Sequence, residues 1–199
     1  MRTMREEICK KIDGVLNRLT YANSSMHIIA SIIQFASENK DSCVLSQDIN
    51  FWIVILDNCG FRIYGELASI YESSSQTAGL KYLLDFCEQN QSIFLEPQNA
   101  RDILKKLRQK YNETSVLRNR LKTIRDQGLF HLDKHHASDL GEFVKKESIS
   151  FEEKNTLIHV AAEICNTLLE NIRGEGRSIE LYLNDDARYI LEDLKKLAD

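Results

Sequence analysis

Apolar residues recur along most of this chain at intervals of three and four, the spacing of a helix face, and almost nowhere at the interval of two that marks a strand. Over residues 4–39, Ile8, Ile12, Val15, Leu16 and Leu19 follow this spacing, and Ile28, Ile29, Ile32 and Ile33 continue it beyond a polar break at Asn23-Ser24-Ser25. Ser46-Gln47-Asp48 has the character of an N-cap and opens a second helix running to about Tyr71. That helix is apolar round much of its circumference, through Phe51, Trp52, Ile53, Val54, Ile55 and Leu56, so it is expected to be the buried central one. Ser73-Ser74-Ser75 marks a loop, and a short helix follows over Leu80–Gln89.

Pro97 suits a first helical position, where its missing N–H costs little. From there a helix is expected to run to about Lys134, with Ile103, Leu107, Leu117, Leu121 and Ile124 forming a packing seam. Ser150 and Glu153 have capping-box spacing. The helix they open buries Leu157, Ala161, Ile164, Cys165, Leu168 and Ile172, and Gly174-Glu175-Gly176 ends it. Ile179, Leu181 and Leu183 alternate and suggest a short extended piece, after which Asn184 caps a last helix over 185–198. The sum is an all-α bundle of four to five main helices.

Composition narrows the class. A chain of 199 residues can bury a full core as one domain, here 1–199, with its body at about 4–172 and a helical appendage at about 177–199. One Pro and eight Gly leave few helix breakers. A net charge of −4 excludes a generic nucleic-acid glue, so any contact with nucleic acid needs a local basic patch. The five cysteines are scattered, with no Cys-x-x-Cys pair; Cys59 and Cys165 read as small core residues, and the cytoplasm is the expected compartment. No signal-peptide run and no apolar stretch of membrane-spanning length is present.

A local basic patch exists. From Arg101 to Arg125 there are nine basic residues against two acidic ones, Asp102 and Glu113. Arg118, Lys122 and Arg125, four and three apart, stack on one helical stripe, the arrangement expected of a surface that attracts RNA phosphates. The stripe ends on Arg125-Asp126-Gln127-Gly128-Leu129-Phe130-His131-Leu132-Asp133. A cation, a carboxylate and an imidazole together suit phosphodiester cleavage. Arg125 and His131 are six residues apart, which on one α-helix sets them about 120° apart around the axis and about 9 Å along it. Convergence therefore needs side-chain reach, a distorted turn near Gly128, or a second copy of the motif.

The Arg-Asp-x(4)-His-x-Asp run resembles the Arg-x(4–6)-His motif of the HEPN superfamily, and over about residues 46–136 the chain looks like its AbiU-like (abortive infection) branch. The order matches: an apolar helix with Phe51-Trp52, an end at Leu67-Ala68-Ser69-Ile70-Tyr71, a Ser/Thr loop, Leu80-Lys81-Tyr82-Leu83-Leu84, then the long helix. The branch often has Lys after the Arg-Asp pair, where Gln127 stands, and a small residue before the His, where Phe130 stands. The resemblance implies a HEPN-like helical bundle and a homodimer whose cleft holds two Arg/His sets. It also implies a metal-independent endoribonuclease of prokaryotic defence or toxin–antitoxin type, in which the RNA 2′-OH attacks the adjacent phosphate. Arg125, His131 and Asp126 are then the catalytic candidates, and an antitoxin or other regulatory protein is a possible partner. The alternative is a non-catalytic HEPN-like module that binds RNA or a protein.

Other chemistry is weaker. His131 and His135 have the i, i+4 spacing of helical zinc ligands, but the Glu that a zinc protease needs beside the first His is absent and no Cys joins them. No metal and no cofactor is expected. Asp133 reads as a cap or salt-bridge residue, and His27 and His159 as core histidines in apolar surroundings. Nothing points to a specific DNA sequence or to a membrane. The dimer interface is expected beside residues 118–135.

Overall fold

The structure is a computed structural model that describes residues 2–39, 44–47, 49–74, 77–129, 148–177 and 186–198. Among these residues it is all-α, with no strand. The helices are α1 (Arg2–Glu38), α2 (Val44–Gln47), α3 (Ile49–Ile70), α4 (Leu80–Gln89), α5 (Pro97–Glu113), α6 (Ser115–Thr123), α7 (Phe151–Arg173) and α8 (Asp186–Ala198). A 3₁₀ turn at Gln91–Ile93 precedes α5, and a π-helical turn at Ile124–Leu129 follows α6.

Helix α1 is the spine, about 55 Å long at 1.5 Å per residue. It packs along α3 and α7. The polar triplet does not interrupt it: Ser24 and Ser25 are buried inside one continuous helix. Serine and asparagine cost only a few tenths of a kcal/mol more than good helix formers, and Ala22 and Met26 on either side are locked into the core. The main core joins Ile12, Leu16 and Leu19 of α1 to Ile63 and Leu67 of α3, Leu83 and Leu84 of α4, Leu104 of α5, Leu121 of α6, and Ile164 and Leu168 of α7. A second, smaller cluster of Ile32, Phe35, Val44 and Leu191 closes the far end of α1 under α2 and α8.

Locally encoded ends are where the sequence places them. Ser150 accepts from the Glu153 backbone N–H at 3.1 Å, and the Glu153 carboxylate accepts from Ser150 N at 2.7 Å, completing the capping box of α7. That backbone hydrogen bond, helped by Arg120, holds the Glu153 carboxyl below its ordinary pKa against a smaller opposing effect of burial. Gly174 ends α7 at φ 92°, in the left-handed region that glycine enters without a Cβ clash.

Three expectations are corrected. The long helix from Pro97 is divided at Thr114, whose hydroxyl donates to Tyr111 O at 2.7 Å, and it changes to π-helical winding at Ile124; residues 130–134 lie outside the described residues. Helix α3 is not buried throughout. Its second half supplies Ile63, Leu67, Ala68 and Ile70 to the core, whereas Phe51, Val54 and Phe61 are 55%, 56% and 56% exposed. A helix apolar on every side has no moment that selects an inward face, so the neighbours decide, and α1 covers only one side. His159 is exposed and His27 only half-buried, so neither is a core histidine. The alternating segment 179–183 and the cap at Asn184 lie outside the described residues.

Candidate nucleic-acid interface

The carboxyl end of α3 meets α6 and the π-helical turn, and a cleft opens between them. Its floor is a stack. Tyr71 is buried, donates its hydroxyl to Leu157 O at 2.6 Å, and lies nearly parallel to Tyr111, with ring centroids 6.3 Å apart. Burial pushes the Tyr71 phenol far above its ordinary pKa, so it stays a neutral donor. The Arg118 guanidinium sits 3.8 Å from the Tyr111 ring centroid. An aromatic face holds a guanidinium in place without neutralising it.

Arg118, Lys122 and Arg125 all line this cleft, together with Asn119, Ser73 and Glu72. Stripe spacing thus places the three cations together as the sequence indicated. Their partners differ. Lys122 is exposed and has no ion-pair partner among the described residues. Arg118 likewise has no carboxylate, and its Nε is buried without a hydrogen bond. Arg125 is gripped twice: its Nη1 is paired with Glu72 Oε2, and its Nε donates to Asp126 Oδ1 at 2.6 Å. Glu72 is itself fixed, accepting from Ser73 N at 2.9 Å and Ser74 N at 3.2 Å. Asp126 therefore holds Arg125 in orientation.

Glu72 is the residue that sequence reasoning missed. It stands just past the apolar end of α3, and nothing in one-dimensional spacing links it to Arg125. The net charge of the run 101–125 also overstated the patch. Arg108 pairs with Asp85 at 2.6 Å and Glu88 at 2.9 Å, Lys110 with Glu163 at 2.8 Å, and Arg120 with Glu153 at 2.7 Å.

His131, Asp133 and His135 lie outside the described residues. The π-helical turn begins at Ile124 and carries Arg125 and Asp126. Wider winding of this kind alters the angular relation that a regular α-helix would impose on the motif, and it is frequent at functional sites. Among the described residues, no group of three or more His, Cys, Asp or Glu could hold a metal ion. Of the described cysteines, Cys9, Cys87 and Cys165 are buried, and burial pushes the Cys87 thiol up to about 12; Cys59 is half-buried rather than the core residue expected. No helix among the described residues is long and apolar enough to cross a membrane.

A family model described as AbiU2, of the HEPN type, matches residues 5–192. No curated protein and no solved structure matches the chain.

Proposed function

This chain belongs to the AbiU2 family of HEPN proteins, and from that premise we propose that it is a metal-independent endoribonuclease of prokaryotic defence or toxin–antitoxin type, acting as a homodimer. The observation that carries the RNA reading is the convergence of Arg118, Lys122 and Arg125 on one cleft, with two of the three lacking a carboxylate partner among the described residues. Phosphates supply the missing anions, and release of counterions from the RNA drives binding. Tyr71 and Tyr111 give the cleft a rigid floor, so the cations are positioned before RNA arrives.

In the reaction, the ribose 2′-OH loses its proton to a general base and its oxygen bonds to the adjacent phosphorus. The bond from phosphorus to the 5′ oxygen breaks, and that oxygen takes a proton from a general acid. The products are a 2′,3′-cyclic phosphate and a 5′-hydroxyl. His131 is assigned the proton transfer, worth about 10²–10⁴-fold, and Arg125 the charge that builds on the non-bridging oxygens. Asp126 holds the guanidinium in orientation.

The Glu72–Arg125 pair favours a second reading, a HEPN-like module that binds RNA or a protein without cutting. In that case Arg125 is a structural cation tying α3 to the π-helical turn. The test is cleavage of a defined RNA by wild type and His131→Ala, with and without EDTA. The enzyme reading expects cyclic-phosphate ends, no effect of EDTA, and loss of cleavage in a His131→Ala protein with unchanged helicity. An active His131→Ala protein overturns the mechanism, as does wild type silenced by EDTA. RNA binding without cleavage selects the module.

A further inference from the structure

The outward face of α3 carries a seam that no described residue covers. Phe51, Val54, Asn58, Phe61 and Gly65 follow a spacing of three, four, three and four, the a/d repeat of a two-stranded coiled coil. Phe51, Val54 and Phe61 are more than half exposed, and a Cβ built at Gly65 meets nothing within 4 Å. The opposite face of the same helix is the one that α1 and the core cover, through Ile63 and Leu67. Exposed apolar rows of this kind mark interaction surfaces.

We propose that the occupant is a second copy of this chain, docked α3 against α3 in parallel about a two-fold axis. Three features favour self-pairing. The row is self-matching, since each apolar layer meets its own copy across the axis. Asn58, at the middle of the row, holds an a-type position, where a single polar layer fixes register and a two-stranded state. Its Nδ2 donates to Val54 O at 2.8 Å, which leaves the amide oxygen as an acceptor for the partner's amide. Asp57 and Arg62 flank the seam at the g and e positions, so each Asp57 faces Arg62 of the partner subunit, on both sides of the axis. Arg62 is already held beside the row, its guanidinium 4.4 Å from the Tyr21 ring centroid. An antiparallel pair centred on Asn58 keeps the asparagine layer but sets Asp57 beside Asp57 of the partner subunit, so the charge match is lost.

This location differs from the expected interface beside residues 118–135, yet it leads to it. Ala68, one turn beyond Gly65, lines the cleft with Arg118 and Arg125. A parallel pair therefore brings the two clefts to the same end of the dimer, with glycines at the closest approach of the helices. The inference rests on the homodimer proposed above; dimerisation is read without RNA, so loss of the α3 seam and loss of cleavage are told apart.

The test uses the full chain without RNA. Sedimentation equilibrium is expected to show a dimer at micromolar concentration. Phe61→Asp is expected to raise its dissociation constant about 100-fold or more, as loss of a central aromatic anchor does, with the helical circular dichroism unchanged. For orientation, Phe51→Cys and Asn58→Cys are each placed in a Cys43→Ser, Cys59→Ser background. Both are expected to form a disulfide dimer under mild oxidation, because a parallel seam sets each residue beside its own copy. A monomeric wild type overturns the proposal. A Phe61→Asp protein that stays dimeric overturns the surface. Crosslinking of Phe51→Cys only when mixed with Gly65→Cys overturns the parallel arrangement.

Discussion

Helices α5 and α6 are both rich in cations, and Arg108 and Lys110 of α5 are placed differently from Arg118 and Lys122 of α6. On α5, Arg108 and Lys110 are tied to acids of α4 and α7, so their charge is spent on joining helices. On α6, Arg118 rests on a tyrosine ring and Lys122 has no partner among the described residues, so no described acid neutralises either charge. The two helices read alike as sequence. Attractive surface belongs to cations without a counter-ion, and only the positions of distant carboxylates reveal which those are.

The largest effect that would break this contrast is on RNA affinity. Arg118→Ala with Lys122→Ala is expected to weaken RNA binding by about tenfold or more near 0.1 M salt. Each change should flatten the slope of log K against log salt by about 0.7, the value for one phosphate contact on a single strand. Arg108→Ala is expected to leave both affinity and slope unchanged. Filter binding across a salt series measures all three proteins. Equal losses from the α5 and α6 changes would show that the pairing seen in the fold does not govern binding.

A smaller effect sharpens the place of Arg125, which belongs to both classes. Glu72→Gln keeps the shape of the side chain and removes the charge that competes with phosphate. RNA binding is expected to tighten by about two- to fivefold, the scale of one partly exposed ion pair. Weaker binding would make Glu72 a scaffold that the cleft requires.

The smallest expected effect concerns stability. Burial alone would raise the Asp85 pKa, but hydrogen bonds from Lys81 and Arg108 outweigh it and bring it below the ordinary value. A depressed folded-state pKa stabilises the fold at pH values above the unfolded-state pKa, about 3.9 for Asp. That contribution is lost as pH falls through the folded-state value. Urea denaturation at pH 7 and pH 3 is expected to show a smaller acid-induced loss for Asp85→Asn than for wild type. An equal loss would mean that the α4–α5 pairs contribute nothing measurable, as many exposed pairs do.

Much of the fold was legible because its signals are local. The bounds of α4, the proline at the start of α5, the Ser150–Glu153 capping box and Gly174 each depend on a few adjacent residues, and each is realised. The stripe of Arg118, Lys122 and Arg125 was legible for the same reason: helix geometry alone aligns three residues within two turns. The misreadings share the opposite cause. Burial of α3 depended on which helices pack against it, and periodicity cannot choose a face when the consecutive Phe51, Trp52, Ile53 and Val54 point in several directions. The polar triplet in α1 suggested an end, but packing of Ala22 and Met26 outweighs a small loss of helix propensity.

The sequence by itself determined the helical class, the local caps, the register of the cationic stripe and the membership of the AbiU2 family, because each rests on residue order over short spans or on the pattern of the whole chain. Tertiary structure alone decided which cations are neutralised, that Glu72 grips Arg125, and that one face of α3 is covered by no described helix. Those outcomes depend on where remote segments come to lie against one another. Charge pairing and burial are properties of that arrangement, not of any segment taken alone.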